Sequence, residues 1–426
     1  YGIEYPESNQ VVLYQKFIDT INNPNWNGIL ALKVDIDLQE FPQQLKGLIS
    51  GINLDNFYGH HVGIEVNKVS ADGEIEMEKN SSIFSLINYL DPAYTQQITQ
   101  GLNADAPIMP TPGAVYDFKV LQLQILFENT AIKFFQSKVQ LTMNNLFSDN
   151  VISTNNPYTT SGNNSVVLNG TYQDHDGTPV YIFENTDDNL YYFDSNLLKN
   201  VEITKIQFNT LTTDPDAITI DSRFTMWGYL NYAVMTGLVE PDEGSEDDST
   251  ISYFDAFSFG NGDGSDDNET DIQKGLNYNN LFIGMSFDMT IPSLVTYGFD
   301  AAQIVFNSSS SISRPSSLYP NFALQINNLV SGNADIPPSS FGYLNLSVPA
   351  LGLSGLSKDW YGLEMTLNMG SPGELAASMD FNASLLMAWS PGPTSADGSY
   401  DVFFGIKLPG TSSDAKLLSL QGVLKL

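Results

Sequence analysis

The chain of 426 residues contains no cysteine. Without a thiol it can form neither a disulfide nor a thiolate metal site, and it has no cysteine nucleophile. Histidine is nearly as scarce, with three residues in all, so a zinc site built from several imidazoles is not expected. These absences exclude the common sites that depend on cysteine and histidine.

Basic residues are also few. Lysine and arginine together number 17 against 49 aspartates and glutamates, which gives a formal net charge of −32. Phosphate binding requires clustered basic side chains, and the sequence has no such cluster. We therefore exclude nucleic acid and anionic membrane surfaces as partners. No apolar run approaches the roughly 18 residues that a membrane-spanning helix needs, so no transmembrane helix is expected.

Signatures of catalysis are missing as well. The Gly-x-Ser-x-Gly turn that presents a nucleophilic serine does not occur, and neither does a glycine-rich phosphate loop of either common form. Pairs of carboxylates always exist among 49 acids, but no pair is marked by its surroundings as a glycosidase pair. The sequence therefore predicts a protein that is not an enzyme and has no cofactor, with calcium as the one candidate ligand.

The sequence does contain stretches in which apolar and polar residues alternate with a period of two. At residues 379–389 every odd position is apolar or small, and residues 361–369 alternate in the same way before a turn at 370–373. This alternation is typical of antiparallel strands with one buried and one wet face. It recurs from residue 115 to residue 426, where the predicted strands include 115–127 and 132–143, and it also predicts a strand at 29–38. With 42% hydrophobic residues, the chain is predicted to be all-β, with antiparallel sandwich-like or barrel-like sheets in two or more packed domains.

The pattern of strands and breaks predicts three regions. They are a mixed α/β N-terminal region at 1–110, a β-rich domain at 111–215, and a β-sandwich-like domain at 216–426 with acidic loops at 239–273. The minor helical content is expected in the first region, at residues 11–21 and after Pro42, with a helical turn at 83–90. Residues 103–113, which include three prolines, are predicted to be a linker or a long loop.

The acidic loops are the candidate metal site. Residues 239–273 hold twelve acids and no base, and Asp263, Asp266 and Asp267 are the candidate calcium ligands. In the helix-loop-helix calcium pattern, however, Asn268 stands where glycine is required, and Lys274 stands where a bidentate glutamate is required. The glycine-rich nonapeptide pattern occurs once and fails at the same Asn268. The favoured interpretation is therefore that these loops are solvated, with calcium as the alternative.

Histidines and aromatic residues are the remaining candidates. His60 and His61 are neighbours on a predicted strand, so their side chains are expected on opposite faces and not on one metal. His175 is expected in a hairpin turn. Trp227, Trp360 and Trp389 could form platforms for sugar rings, but aromatic residues on alternating strands are usually in the core, which is the favoured interpretation.

Several segments resemble a known group of proteins. They are SRFTMWGYLNY (222–232), FDAFSFG (254–260), SRPSSLYPNFAL (313–324), DWYGLEMTLNMGSPGELAA (359–377), LLMAWSPG (385–392) and LSLQGVLKL (418–426), with GILALKVDIDL (28–38) and FYGHHVGIEVNKV (57–69) similar in style. They resemble parts of very large, poorly characterised β-rich bacterial proteins associated with loci for extracellular contractile injection systems, the phage-tail-like particles. The resemblance rests on packing and turn residues. It implies a structural or accessory component and transfers no active-site residue.

Together these observations predict a non-enzymatic structural component of an extracellular or phage-tail-like particle, such as an accessory or baseplate-associated part. Its partners are expected to be proteins in a multi-subunit assembly, including copies of itself. Because the chain starts at Tyr1 and its last residues read as a strand, it is expected to be a segment of a longer polypeptide. One alternative is a secreted carbohydrate-binding or carbohydrate-active β protein. Another is an outer-membrane barrel, but the lengths of the predicted strands vary too much for a barrel.

Overall fold

The structure is a computed structural model of the chain. It describes residues 26–65, 83–129, 131–153, 163–175, 178–185, 189–193, 198–232, 275–307, 324–345, 359–368, 382–390 and 402–407, with short pieces at 15, 17–19, 22–24, 68–69, 75–76, 236–239, 252–255, 356, 419–420 and 424–425. The helix predicted at residues 11–21 falls largely outside this set.

Strands dominate both halves of the described chain. The first half contains β1 (Gly28–Val34), β2 (Gly59–Glu65), β3 (Lys68–Val69), β4 (Ile75–Glu76), β5 (Ile83–Leu90), β6 (Tyr116–Glu128), β7 (Ala131–Met143), β8 (Asn145–Leu146), β9 (Asp149–Ser153), β10 (Ser165–His175), β11 (Thr178–Asn185), β12 (Asn189–Phe193) and β13 (Leu198–Thr210). The second half contains β14 (Thr219–Tyr232), β15 (Thr236–Val239), β16 (Ser252–Asp255), β17 (Leu276–Asp288), β18 (Val295–Asp300), β19 (Val305–Phe306), β20 (Leu324–Gly332), β21 (Leu344–Asn345), β22 (Trp360–Asn368), β23 (Asn382–Trp389), β24 (Val402–Lys407), β25 (Ser419–Leu420) and β26 (Leu424–Lys425).

Helices are short. The described residues form the α-helix α1 (Pro92–Thr99) and three 3₁₀ helices, Gln43–Gly51, Leu54–Asn56 and Pro338–Phe341, and residues 15, 17–19 and 22 are also helical. The described strand pairs are all antiparallel. The predicted all-β class with antiparallel, sandwich-like sheets is therefore confirmed. No helix in the described part of the chain has the length and apolar character to cross a membrane.

The largest sheet has 15 strands and coils around its own core. Its main path is β1-β2-β5-β6-β7-β10-β11-β13-β14-β17, with β18 and β19 both on β17 and with β12, β9 and β8 branching from β13. Although β6 and β13 are separated by three strands along this path, Phe118 of β6 stacks on Phe208 of β13 with ring centroids 5.3 Å apart. The sheet therefore bends until its two halves face each other across one layer of side chains.

A 3₁₀ helix fills the space between these halves. Pro42 precedes the helix Gln43–Gly51, as predicted, and Leu45, Leu48 and Ile49 on it are fully buried. Gly47 lies so close to the wall that an added Cβ would come within 2.8 Å of the Phe208 ring. We call this element the central 3₁₀ helix.

Polar bonds hold the central 3₁₀ helix to the loop between β13 and β14. Lys46, only 1% exposed, donates from Nζ to the Pro215 carbonyl at 2.6 Å, and Gln43 Nε2 donates to the Thr212 carbonyl at 2.7 Å. These bonds satisfy polar groups that would otherwise be buried without partners. They fix the position of one loop at the end of the sandwich.

A second sheet has five strands in the order β20-β22-β23-β24-β21, and the remaining described strands form three pairs, β3-β4, β15-β16 and β25-β26. Leu363 pairs with Met387, and both belong to the main core, as the alternating pattern predicts. Tyr361 joins the two sheets, since its hydroxyl lies 3.1 Å from Ser148 Oγ and its ring packs edge-on against Phe147. The opposite face buries Trp360 in a smaller cluster.

The helical turn predicted at residues 83–90 is wrong. Ile83–Leu90 is not a helical turn but the strand β5, which pairs with β2 on one edge and β6 on the other. Apolar residues occur on both faces of β5 because Ile87 and Tyr89 face the main core, while Leu86 packs on the outer face with Leu126. A strand buried on both faces loses its alternation and can imitate helical spacing.

The predicted region boundaries at 110 and 215 do not interrupt the sheet. β5 pairs with β6 across the first boundary, and β13 pairs with β14 across the second. The division into three domains stays a prediction, and residues on both sides of each boundary share one core.

Residues 103–113, which we call the strap, are held against the outer face of the sheet. The Gln140 side chain clamps Ile108, accepting from its N–H at 2.8 Å and donating to its carbonyl at 2.9 Å. Tyr94 of α1 donates to the Ala104 carbonyl at 2.9 Å, and Tyr94, Ile108 and Leu121 form a small cluster. The predicted loop is therefore long but fixed.

We expect Gln140→Leu to lower the free energy of unfolding by about 1–3 kcal/mol, because the buried Ile108 N–H loses its partner. Chemical denaturation monitored by circular dichroism measures this loss. Met109→Ala is the control, because Met109 is 66% exposed on the strap and its truncation should cost at most about 0.5 kcal/mol. Equal losses in the two variants would show that the clamp does not stabilise the strap.

Candidate interaction surface

The candidate calcium ligands Asp263, Asp266 and Asp267 lie outside the described residues. Calcium binding at these loops therefore stays a hypothesis. Within the described part of the chain, no three histidine, cysteine, aspartate or glutamate side chains come together as a group that could hold a metal.

We expect calcium to leave the thermal stability almost unchanged, since a ligand stabilises only the state that it binds. Differential scanning calorimetry with about 5 mM calcium chloride, and with magnesium chloride as the ionic-strength control, tests this. A rise of several degrees that calcium alone produces, and that Asn replacements of Asp263, Asp266 and Asp267 abolish, would overturn the solvated-loop interpretation.

The two neighbouring histidines are placed differently from the simple alternation of a strand. His60 and His61 have stacked rings with centroids 6.1 Å apart, because β2 has a bulge there and His61 has a positive φ of 50°. Burial lowers the pKa of both imidazoles, and the proximity of His61 lowers that of His60 further. His60 packs on the Tyr58 ring at 4.2 Å, and His175 ends β10 opposite Thr178 in a hairpin, as predicted.

The tryptophans of the second sheet belong to the core, as the favoured interpretation predicted. Trp360 and Trp389 are at most 1% exposed. Trp227 is half-buried, with Lys205 Nζ 5.4 Å from its ring. Neither buried indole can serve as a platform for a sugar ring.

One edge of the large sheet carries apolar side chains that do not pack into the core. β1 is the terminal strand, and among the described strands it pairs only with β2, from Gly28 opposite Glu65 to Val34 opposite Gly59. None of the described strands pairs with its other edge. Gly28 is required at its start, since an added Cβ would come within 2.2 Å of the Ile64 carbonyl oxygen.

The side chains of this edge strand are apolar and exposed. Leu30, Leu32 and Val34 share one face and are 37%, 67% and 40% exposed, and Ile29 on the other face is 50% exposed. Edge strands of soluble proteins usually carry charges, prolines or bulges that prevent pairing with another chain. β1 has one charged residue, Lys33, whose Nζ lies 4.2 Å from the centre of the Tyr58 ring. We call this feature the β1 edge.

Acidic residues flank the β1 edge. Asp35 and Asp37 follow its last residue and are exposed, and Glu65 lies opposite its first residue on β2. Asp37 also accepts a bond from the Gln39 N–H at 2.9 Å. The β1 edge therefore consists of an apolar strand with carboxylates near both ends.

A second group of exposed apolar side chains lies on loops at one end of the sandwich. Ile218 and Ile291 are held near each other, because the Ile218 carbonyl accepts a bond from the Met289 N–H at 2.9 Å. Leu211, Ile218, Ile291 and Leu294 are 44–69% exposed. We call this group the loop patch.

The sequence predicted a strand over residues 29–38 but not its position at the edge. The available signal was the combination of four apolar residues, Ile29, Leu30, Leu32 and Val34, with a single charge. Alternation alone cannot separate such a strand from one that is covered on both sides.

Comparisons with known proteins found no match: no protein-family model, no curated protein and no solved structure is similar to this chain.

Proposed function

We propose that the protein is a non-enzymatic structural component of a larger extracellular assembly, a phage-tail-like particle of the contractile-injection type. The observation that carries the proposal is the β1 edge, an exposed apolar strand that has no second neighbour among the described strands. A long apolar edge strand on a soluble protein is an aggregation hazard unless a partner covers it.

The energetics favour covering this edge. Burying a leucine completely contributes about 1.5–3 kcal/mol, and Leu32 is 67% exposed, so a partner over Leu32 would gain about 1–2 kcal/mol. The neighbouring apolar side chains and the backbone bonds of an added strand increase this gain. The loop patch offers a second, separate contact, and a subunit within an extended assembly needs at least two.

The charge of the protein supports the same function. A net charge of −32 keeps free copies soluble and suppresses contacts that do not match in shape. Association is then confined to surfaces such as the β1 edge. Trp360 and Trp389 lie in the core, so neither can be the sugar platform that the carbohydrate-binding alternative would need.

The test is purification of the native complex from cells that carry a β1-edge variant. We expect Leu32→Lys to reduce recovery of the protein with its complex by at least about tenfold, since a lysine on an edge strand disfavours pairing with another strand and removes the apolar contact. Leu32 is 67% exposed, so the stability of the free protein should stay within about 0.5 kcal/mol of wild type.

Met109→Lys is the matched control, because Met109 is 66% exposed on the strap and belongs to neither surface. It should leave recovery unchanged. The proposal is wrong if the wild-type protein is a free monomer that hydrolyses a polysaccharide and no particle contains it.

A further inference from the structure

We infer that His60 and His61, which we call the histidine pair, form an acid-sensitive device that loosens the pairing of β1 with β2 below about pH 6. The device itself does not depend on the proposed function. Its consequence, that acid loosens the strand carrying the proposed contact surface, rests on that function. The composition of the chain, the geometry of the pair and the charges around it support the inference.

The composition of the chain restricts what can titrate in mild acid. Among side chains with ordinary pKa values, only histidine changes its charge between about pH 7.5 and about pH 5.5, and the chain has no cysteine. The chain contains three histidines, His60, His61 and His175. Two of the three lie side by side on β2, so the change of charge in mild acid is concentrated at one place in the fold.

The fold brings the two imidazoles into one cluster of rings. The bulge in β2 and the positive φ of His61 place the rings 6.1 Å apart between centroids, with 18° between their planes. The His60 ring packs on the Tyr58 ring at 4.2 Å, and the Phe17 ring meets the His61 ring edge-on at 4.5 Å. Both imidazoles are half-buried, so protonation places two charges where little water can solvate them.

A third cation lies directly across the strand pair. Lys33 on β1 is the register partner of His60 on β2, and its Nζ lies 4.2 Å from the centre of the Tyr58 ring. Like charges directly opposite each other destabilise a strand pair. A protonated His60 therefore has Lys33 opposite it and His61 beside it, and separation of β1 from β2 relieves this repulsion.

The other groups around the pair do not offset these charges. On β5, the register partner of His60 is Leu86, and the bond with the Asn88 backbone favours the charged imidazole but is outweighed. The acids on the neighbouring described elements do not shift the pKa of either imidazole; they are Asp19 in the helical residues 17–19, Asp35 after β1 and Glu65 at the end of β2.

The direction of the effect follows from the two pKa values. Burial lowers the pKa of both imidazoles, and the charges of His61 and Lys33 lower that of His60 further. Because each folded pKa lies below the ordinary value of about 6.5, the stabilisation is complete above about pH 6.5. It is lost as the pH falls through that value towards the folded ones, which is the mildly acidic range.

The experiment is hydrogen exchange of the intact chain, followed by mass spectrometry at about pH 7.5 and about pH 5.5. Protection is corrected for the intrinsic pH dependence of exchange. We expect the amides of Gly28–Val34 and Gly59–Glu65 to lose protection by at least about tenfold at the lower pH, since one pKa unit corresponds to a factor of ten. Leu198–Thr210 is the internal control, because β13 is in the main core and should change by less than about twofold.

Variants assign the effect to the histidine pair. His60→Phe keeps a flat ring on Tyr58 without a titrating group, and His61→Asn suits the left-handed backbone at that position. The double variant should reduce the change in protection to less than about twofold. His175→Asn is the matched control: it removes the third histidine, at the end of β10, and should keep the tenfold change.

A second measurement decides the case in which the double variant does not fold. Titration of the imidazole C–H resonances in the unmodified chain should show both members of the pair with pKa values below about 6.5. Values at or above 6.5 would overturn the inference.

Three results of the exchange experiment would also overturn it. They are equal protection at the two pH values, a change that persists in the double variant, and a change that His175→Asn removes. The experiment uses the free chain, so its failure leaves the proposed function untouched. Conversely, if β1 and β2 lose protection as expected but no particle contains the protein, the acid-sensitive device stands and the proposed function fails.

Discussion

We expect the protein to unfold cooperatively when the pH is raised from about 9 to about 12. Tyrosine in an unfolded chain ionises near pH 10, but burial penalises the phenolate and raises the pKa in the folded protein. Burial raises the pKa of Tyr89 and that of Tyr181 to about 12. The pKa is raised for the same main reason in Tyr116, Tyr191, Tyr278, Tyr297, Tyr343 and Tyr361.

The sign follows from the direction of these shifts. Because each folded pKa lies above the unfolded one, the stabilisation is complete below about pH 10 and is lost as the pH rises towards the folded value. In that pH range each such tyrosine lowers the free energy of unfolding by about 1.4 kcal/mol per pH unit. Tyr89, Tyr191 and Tyr278 are at most 1% exposed, so together they lower the free energy of unfolding by about 4 kcal/mol at about pH 11.

The free energy of unfolding of an ordinary domain is about 5–15 kcal/mol, and the other five tyrosines add to the loss of stability. Far-UV circular dichroism and tyrosinate absorbance, recorded together against pH, measure the transition. Both signals should change at the same pH. Full tyrosinate absorbance near pH 10 with the circular dichroism unchanged would contradict the burial of these phenols.

Tyr191→Phe is the sharpest control for this transition. The Tyr191 hydroxyl is buried and makes no hydrogen bond within the structure, so phenylalanine keeps the packing and removes an unsatisfied group. We expect the variant to be equal to wild type at neutral pH or more stable by about 1 kcal/mol. Its alkaline midpoint should be higher, because one titrating group is gone.

We expect Phe208→Ala to lower the free energy of unfolding by about 3–5 kcal/mol. The Phe208 ring lies between three others, with centroids 4.8 Å from Phe224, 5.3 Å from Phe118 and 5.7 Å from Phe183. These rings come from four different strands, so the cavity cannot be filled by a small movement of one element. Urea denaturation followed by tryptophan fluorescence measures the loss.

Leu294→Ala is the control for Phe208→Ala. Leu294 is 69% exposed, so its truncation should lower the free energy of unfolding by at most about 0.5 kcal/mol. Phe208→Leu should cost less than Phe208→Ala, because leucine leaves a smaller cavity. A loss below about 1 kcal/mol for Phe208→Ala would show that the two halves of the large sheet do not meet at this ring.

Much of the strand content could be predicted from local pattern. The strand predicted at 132–143 is Ala131–Met143, and the one predicted at 115–127 is Tyr116–Glu128. Alternation also predicted that Leu363 and Met365 share a buried face. In β7 the core side chains Val139, Leu141 and Met143 alternate with the polar Lys138, Gln140 and Thr142, and a polar second face makes a period of two visible in the sequence.

The errors have equally local causes. α1 was missed, although Asp91 caps it by accepting bonds from the Ala93 and Tyr94 N–H groups and Pro92 begins it. That pair of residues was a readable start signal for a helix. The opposite-face prediction for His60 and His61 failed because a bulge is a pairing irregularity between strands, which the residues of one strand do not show.

The candidate surface depended on long-range pairing. Residues 28–34 look like any other strand of this chain, and only the order β1-β2-β5 places them at the end of the sheet. The strap was predicted to be a linker or a long loop, and bonds from Tyr94 and from Gln140, which is 32 residues from Ile108, decide that it is fixed.

The sequence by itself determined that this protein is all-β, strongly acidic and free of cysteine, because composition and a period of two are properties of neighbouring residues. The tertiary structure alone decided that the two halves of one sheet face each other across Phe118 and Phe208, and that β1 has no second neighbour among the described strands. The physical reason is that strand pairing uses backbone groups, which are nearly the same in every residue. The sequence of a strand therefore specifies which face is apolar, while the strand beside it is chosen by the packing of the whole core.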